Sequence, residues 1–110
     1  MKKVLVVQPL ENRTQEERSN DLNEAYKYLI DKGFEPVCCT SPLISDKIAN
    51  ALGVKNIYLY HIGNVFDYMS KVDCVYFTGG WILDKICRII RLASILYDIE
   101  ILEKEEEKNN

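Results

Sequence analysis

Short apolar runs alternate along the chain with longer stretches in which apolar residues recur every three or four positions. A run such as Val4–Val7 is typical of a buried parallel strand, whereas the spaced pattern is typical of an amphipathic helix. The runs predict four strands, at residues 4–7, 34–40, 74–78 and 99–102. The spaced stretches predict four helices, at residues 14–32, 41–52, 57–71 and 83–97.

The first two helices carry recognisable start and stop signals. Thr14 and Glu17 form a capping box, in which each side chain satisfies a free backbone amide at the helix start. Gly33 supplies the left-handed residue that follows the first helix. Ser41 is predicted to cap the second helix, with Pro42 in its first turn.

Strands that alternate with helices predict the α/β class, with a parallel sheet and right-handed crossovers. We expect one small three-layer domain of the flavodoxin or Rossmann-like type at residues 1–102, with strand order 2-1-3-4 and helices on both faces. Residues 103–110 are all charged or polar, with no apolar side chain, and we expect a disordered tail there. In this strand order, ligands bind at the carboxyl ends of the first and third strands.

Composition and charge narrow the classes of function. The chain has 110 residues and a formal net charge of −3, so no basic excess points to a nucleic-acid partner. The apolar run after Met1 is too short for a signal peptide or a membrane span, so we expect a cytoplasmic protein with no membrane partner.

The residues that usually bind metals are scattered. The four cysteines lie in apolar segments without a C-x-x-C pair, which is typical of free thiols, and they are Cys38, Cys39, Cys74 and Cys87. His61 is the only histidine, and no metal-ligand motif surrounds it. We therefore expect no metal site and no cofactor.

Two loops are predicted to meet at the carboxyl ends of the first and third strands. Gly79 and Gly80 would let the backbone approach an anion such as phosphate, and Trp81 could stack on a base. Arg13 could pair with a phosphate, and Asn12 and Glu11 could bind ribose hydroxyls. The candidate ligand-binding residues of the two loops are Gln8, Pro9, Asn12, Arg13, Thr78, Gly79, Gly80 and Trp81.

Each of these features also has a purely structural explanation. The two glycines can form a plain strand-to-helix turn that leaves Trp81 in the core. Arg13 can be a surface residue, although its charge is slightly unfavourable at a helix start. Asn12 suits a turn. His61 can be a partly buried helix residue.

The order of elements and several motifs resemble the DUF4406 family of the nucleoside 2-deoxyribosyltransferase-like superfamily. The resemblance extends over about residues 3–102, and the string Asp-Cys-Val-Tyr followed by Gly-Trp is its most specific part. The matching segments are Gln8-Pro9, Glu16–Arg18, Lys32–Val37, Val72–Phe77, Gly80-Trp81, Cys87-Arg88 and Tyr97–Ile101. Active members of this superfamily cleave or exchange N-glycosidic bonds, with one carboxylate as nucleophile and a second acid that assists the leaving base.

The sequence departs from the family at the positions that carry this chemistry. The family's nucleophilic Glu falls on Ile90, and the small residue that opens the same helix falls on Ile86. The first-strand Gly-Pro becomes Gln-Pro at Gln8. The acid of the third helix falls near Val65, and Asp67 lies about 200° around the helix from it.

Three functions follow from the resemblance and its departures. The first is non-catalytic binding of a nucleotide or a nucleotide-derived signal, and a phage-encoded sponge would be one such binder. The second is an N-glycosidase or deoxyribosyltransferase in which Glu11 or Asp84 replaces the lost carboxylate, although Asp84 also suits a plain helix cap. The third is an oligomeric interaction protein. We expect a homo-oligomer, a dimer or a tetramer, because the last helix is apolar on more than one face, at Ile86, Ile89, Ile90, Leu92, Ala93 and Leu96.

Overall fold

Four parallel strands form one sheet in the order β2-β1-β3-β4 in the computed structural model, which describes residues 1–11, 13–38 and 43–104. The strands are β1 (Lys3–Val7), β2 (Glu35–Cys38), β3 (Cys74–Phe77) and β4 (Glu100–Leu102). Val4 pairs with Pro36 on one side and with Cys74 on the other, so β1 is a central strand. The predicted α/β class and strand order are confirmed.

Helices cover both faces of the sheet. They are α1 (Gln15–Asp31), α2 (Asp46–Leu52), α3 (Ile57–Met69) and α4 (Lys85–Leu96). Val4 and Val6 pack with Ala25 and Leu29 of α1 on one face. On the opposite face, Leu5 and Val7 lie in a cluster with residues of α3 and α4, namely Ile62, Val65, Met69, Ile86, Cys87 and Ile90. The alternation follows because successive strand residues point to opposite faces.

The capping box predicted at the start of α1 is present. The Glu17 amide donates to the Thr14 hydroxyl at 3.1 Å, and the Thr14 amide donates to a Glu17 carboxylate oxygen at 3.1 Å. Both bonds satisfy amides that a helix start leaves free. The box fixes where α1 begins and therefore which residues of its first turns face the end of β1.

The start of α2 differs from the prediction. Ser45, and not Ser41, caps this helix by accepting a hydrogen bond from the Ile48 amide at 3.3 Å. Residues 43–45 are not helical, and residues 39–42 lie outside the described residues. Both serines satisfy the sequence rule for a cap, but Ser45 is followed directly by Asp46, whose charge is favourable in a first helical turn.

The connection between β3 and α4 also differs from the prediction. The sequence pattern predicted a helix from residue 83, whereas a short 3-10 turn (Trp81–Leu83) precedes α4, which begins at Lys85. The extra turn places Asp84 at the junction of the two helical segments. Among the described helices, none has both the length and the hydropathy that are needed to cross a bilayer.

Candidate functional site

The two loops predicted to meet at the carboxyl ends of β1 and β3 pack directly against each other. The Thr78 amide donates to the Val7 carbonyl at 3.0 Å, which extends the pairing of the two strands by one bond. Gly80 has a φ of 82°, and a Cβ added to it would lie 3.9 Å from Pro9 Cγ. The point between β1 and β3 is therefore filled by protein, and open space lies on either side of it.

Asp84 holds the two loops together. Its side chain caps α4, with Oδ1 accepting from the amides of Ile86 at 2.9 Å and Cys87 at 3.3 Å. Oδ2 accepts from the Leu10 amide at 2.6 Å and, more weakly, from the Glu11 amide at 3.5 Å. The residue is only 2% exposed. Because both oxygens accept backbone N–H groups, Asp84 acts as a structural clamp between the β1–α1 loop and α4.

A cleft of about 220 Å³, here called the first cleft, opens beside β1 at its carboxyl end. One wall is formed by four residues of α1 at helical spacing, Gln15, Arg18, Ser19 and Leu22. Because residues three, four and seven apart share one helix face, the capping box at Thr14 directs three polar side chains toward this cleft.

Gln8 and Arg18 provide the polar edge of the first cleft. Gln8 Nε2 donates to the Arg18 carbonyl at 2.6 Å, so this side chain lines the cleft along α1. The Arg18 side chain is half-buried and makes no ion pair with a carboxylate in the described part of the chain. A half-buried guanidinium without a carboxylate partner favours an anionic ligand.

The opposite wall is formed by α3 and α4 and is mostly apolar. Val65, Ile86 and Ile90 are 4%, 6% and 0% exposed and belong to the core as well as to the cleft wall. These are the positions where the family resemblance places catalytic or small residues. No carboxylate is found among the described residues that line the first cleft.

His61 is the polar exception on this wall. Burial lowers the pKa of its imidazole below the usual 6.5, and the nearby Asp84 charge opposes that shift only in part. The imidazole is therefore neutral at pH 7, with one nitrogen free to accept and one able to donate a hydrogen bond. Such a group can donate a hydrogen bond to a neutral polar part of a ligand or accept one from it.

Two further clefts lie on the other side of the loop contact. The second cleft, about 390 Å³, is lined by Thr78, Gly79, Gly80, Trp81 and Arg91, among others. The third cleft, about 260 Å³, lies between β3 and α1. Tyr76, Thr78, Gly79 and Lys104 line both of them.

Trp81 is held by its neighbours in the second cleft. Its ring lies 5.8 Å from the Phe77 ring, and the Arg91 guanidinium lies 4.3 Å from its centroid. Arg91 also forms an ion pair with Glu103 at 2.7 Å. One face of the indole is therefore covered by Arg91, which restricts any stacking with a ligand to the remaining surface.

The predicted ligand-binding residues are thus divided between different places. Gln8 lines the first cleft, and residues 78–81 line the second. Pro9 is buried at the loop contact. Arg13 pairs with Asp21 and, at 3.5 Å, with Glu17, both on α1, and it lines none of the three clefts. Asn12 lies outside the described residues.

Sequence reasoning missed the polar face of α1 at Gln15, Arg18 and Ser19. The signal was present, because these residues follow the capping box at the spacing of one helix face. This spacing indicates a site only in combination with the strand order, which places the start of α1 beside the end of β1.

Comparison of the chain with family models, with curated proteins and with solved structures gives no match. The family resemblance therefore rests on the sequence motifs alone. Within residues 1–11, 13–38 and 43–104, no group of three or more His, Cys, Asp or Glu side chains could hold a metal ion.

Proposed function

We propose that this protein binds, without cleaving it, a small anionic ligand of the nucleotide or nucleotide-derived class in the first cleft. The observation that carries the proposal is the half-buried Arg18 side chain, which has no carboxylate partner among the described residues. Arg18 would pair with a phosphate, and Gln8, Gln15 and neutral His61 would bind polar groups of a sugar or base. The apolar wall would cover the rest of the ligand.

The lining of the first cleft favours binding over glycosidic cleavage. Cleavage of an N-glycosidic bond by the superfamily's mechanism needs a carboxylate at the anomeric carbon and a second acid near the leaving base. The family resemblance places the nucleophile at Ile90, which cannot act as one, and both oxygens of Asp84 accept hydrogen bonds from backbone amides. Glu11, the other proposed replacement, is exposed and is not among the lining residues.

The test compares two arginine variants. Purified protein is incubated with a mixed panel of nucleotides, deoxynucleotides and cyclic or ADP-ribose-derived signals, then filtered, and both the filtrate and the denatured retentate are analysed by HPLC. We expect one compound to be retained intact by the wild type. Arg18→Gln should weaken its binding about tenfold or more, because a charge-assisted contact is lost.

Arg88→Gln is the matched control, because Arg88 is an exposed helix arginine that does not line the cleft. It should retain the compound as the wild type does. Accumulation of a free base or of a new nucleoside would overturn the proposal in favour of an enzyme, and failure of the wild type to retain any compound would overturn it as well.

An exposed apolar stripe on α4 favours a homo-oligomer, a dimer or a tetramer, as an additional property of the protein. Ile89, Leu92 and Leu96 share the outer face of this helix and are 45%, 57% and 67% exposed. Leu92→Glu should therefore lower the molar mass measured by light scattering after gel filtration. Lys47→Glu on α2 should leave it unchanged, and a wild-type protein that is monomeric at high concentration would refute the idea.

A further inference from the structure

The second and third clefts adjoin each other around the end of β3, and together they are here called the β3 trough. Thr78 and Gly79 line both clefts, and Lys104 lies at the same junction. The trough is separated from the first cleft by the contact between Pro9 and Gly80. None of its lining residues also lines the first cleft.

The buried hydroxyl of Thr78 is a feature of the trough that the packing of the protein does not explain. The residue is 4% exposed, and its hydroxyl oxygen is buried with no hydrogen-bond partner among the described residues. An unsatisfied buried hydroxyl is costly, and native proteins satisfy nearly all such groups. Because Thr78 lines both clefts, a ligand bound there could supply the missing partner.

The surroundings of Thr78 suit an anion at one end of the trough. Gly79 and Gly80 are exposed, and a Cβ added at Gly79 would meet no atom within 4 Å, so a ligand can approach this backbone closely. Lys104 makes no ion pair with any carboxylate of the described residues. The positive charge of Arg91 is balanced by Glu103, whereas Lys104, whose ammonium lies 5.9 Å from the centroid of the Tyr28 ring, has no carboxylate partner among the described residues.

The other end of the trough suits hydroxyl groups. Asp21 and Glu24 of α1 line the third cleft. Asp21 is paired with Arg13, whereas Glu24 has no cationic partner within the described part of the chain. A carboxylate at this end of the trough disfavours a second phosphate there but accepts hydrogen bonds from sugar hydroxyls, as acidic residues do in dinucleotide sites.

We propose that the β3 trough is a second ligand site, which takes a small phosphorylated polyol such as a sugar phosphate. The phosphate lies against Thr78, the Gly79–Gly80 backbone and Lys104, and the hydroxyl-bearing part extends toward Glu24. This site is independent of the ligand proposed for the first cleft.

Trp81 is the only tryptophan of the chain and lines the trough, so its fluorescence reports directly on binding. Inorganic phosphate and ribose 5-phosphate are titrated into the wild type in a phosphate-free buffer, with sodium chloride at matched ionic strength as the control. Both phosphates should give a saturable change, with ribose 5-phosphate binding more tightly. A change that chloride reproduces, or no saturable change, overturns the site. Equal affinities for the two phosphates overturn the polyol part.

Variants locate the site. Thr78→Val and Lys104→Met should each weaken phosphate binding about tenfold, because each removes a contact to a charged oxygen. Lys71→Met, at an exposed lysine paired with Asp67, and Arg18→Gln in the first cleft should leave it unchanged. Glu24→Gln should reduce only the advantage of ribose 5-phosphate. If Arg18→Gln weakens phosphate binding, the phosphate binds in the first cleft and the second site is overturned. If instead the ligand screen at the first cleft finds no compound, the result of these titrations is unaffected.

Stability without ligand gives a readout that does not depend on finding the natural compound. Valine has nearly the shape of threonine and lacks the hydroxyl, so Thr78→Val should unfold at the same or a higher denaturant concentration than the wild type in phosphate-free buffer. Added phosphate should stabilise the wild type more than the variant. A clear loss of stability in Thr78→Val without phosphate would mean that the hydroxyl already has a partner, and would overturn the proposal.

Discussion

The Leu10 amide donates a 2.6 Å hydrogen bond to Asp84 Oδ2 across 74 positions of sequence. The same carboxylate caps α4 through its other oxygen. One buried side chain therefore fixes the loop after β1 relative to the helix after β3. Because residues of both elements line the first cleft, its shape depends on this contact.

Asp84→Asn should destabilise the protein by about 2 kcal/mol, because the amide group offers one acceptor where the carboxylate offers two, and its NH2 faces a backbone donor. Urea unfolding followed by circular dichroism measures the change. Asp67→Asn is the control, since Asp67 forms only an exposed ion pair with Lys71 and its loss should cost less than about 0.5 kcal/mol. Equal costs for the two variants would show that Asp84 is not a clamp.

The pKa of His61 should lie below 6.5, because burial disfavours the charged imidazole. Asp84→Asn should lower this pKa further, because it removes the negative charge that opposes the effect of burial. Proton NMR of the single histidine follows both titrations without assignment problems. A pKa that rises in Asp84→Asn would contradict the proximity of the two groups.

The lowered His61 pKa also predicts how stability depends on pH. In the window between the folded pKa and 6.5, the unfolded chain binds more protons than the folded protein, so stability falls as the pH is lowered through this window. His61→Gln should flatten the stability curve in the range just below pH 6.5, where carboxylates with ordinary pKa values contribute little. Urea midpoints measured at several pH values provide the comparison, and an unchanged slope in the variant would refute the assignment.

The fold could be predicted well from the sequence because its signals are local. Apolar runs, the capping box at Thr14 and the alternation of element types are sufficient for the class, and the strand order is the one that the flavodoxin-like type implies. The start of α2 was misplaced because Ser41 and Ser45 satisfy the same capping rule, and only the three-dimensional packing chooses between them. Local patterns specify helices more securely than they specify the ends of helices.

The candidate site was predictable only in part, because it depends on contacts between distant segments. The approach of the two loops follows from the strand order, but the filling of the space between them by Pro9 and Gly80 does not. The pairing of Arg13 with Asp21 likewise depends on side-chain directions that no spacing rule provides. The open space therefore lies beside the expected crevice rather than inside it.

A carboxylate introduced at Ile90, where the family resemblance places the nucleophile, should not create activity. Ile90 is fully buried, so Ile90→Glu places an acid without a partner among apolar side chains, and we expect a loss of about 3 kcal/mol or more. Ile90→Val should cost only about 1 kcal/mol. Urea unfolding and HPLC assay of base release measure the two effects. An Ile90→Glu variant that is stable and releases a base would show that the site retains the rest of the catalytic apparatus.

The cysteines should differ in reactivity. Cys74 and Cys87 are buried, and burial raises the pKa of both thiols, whereas Cys38 is half-buried beside the first cleft. When Cys39 is replaced by serine, Ellman's reagent at pH 8 should therefore modify Cys38 quickly. It should modify Cys74 and Cys87 only at the rate at which local or global unfolding exposes them. Cys38→Ser in the same background should remove the fast phase. A fast phase that survives this substitution would contradict the burial of the other two thiols.

Arg91 should stabilise the protein mainly through the Trp81 ring rather than through Glu103. The guanidinium lies 4.3 Å from the indole centroid, and both groups are partly shielded from water, so Arg91→Met should cost about 1 kcal/mol. Glu103→Gln should cost less than about 0.5 kcal/mol, because this carboxylate is 70% exposed and its attraction to Arg91 is screened by solvent. Urea unfolding monitored by Trp81 fluorescence measures both losses, and Arg91→Met should also shift the emission of the folded protein. Similar losses in the two variants would instead assign the stabilisation to the ion pair, and they would mean that the ring contact contributes little of its own.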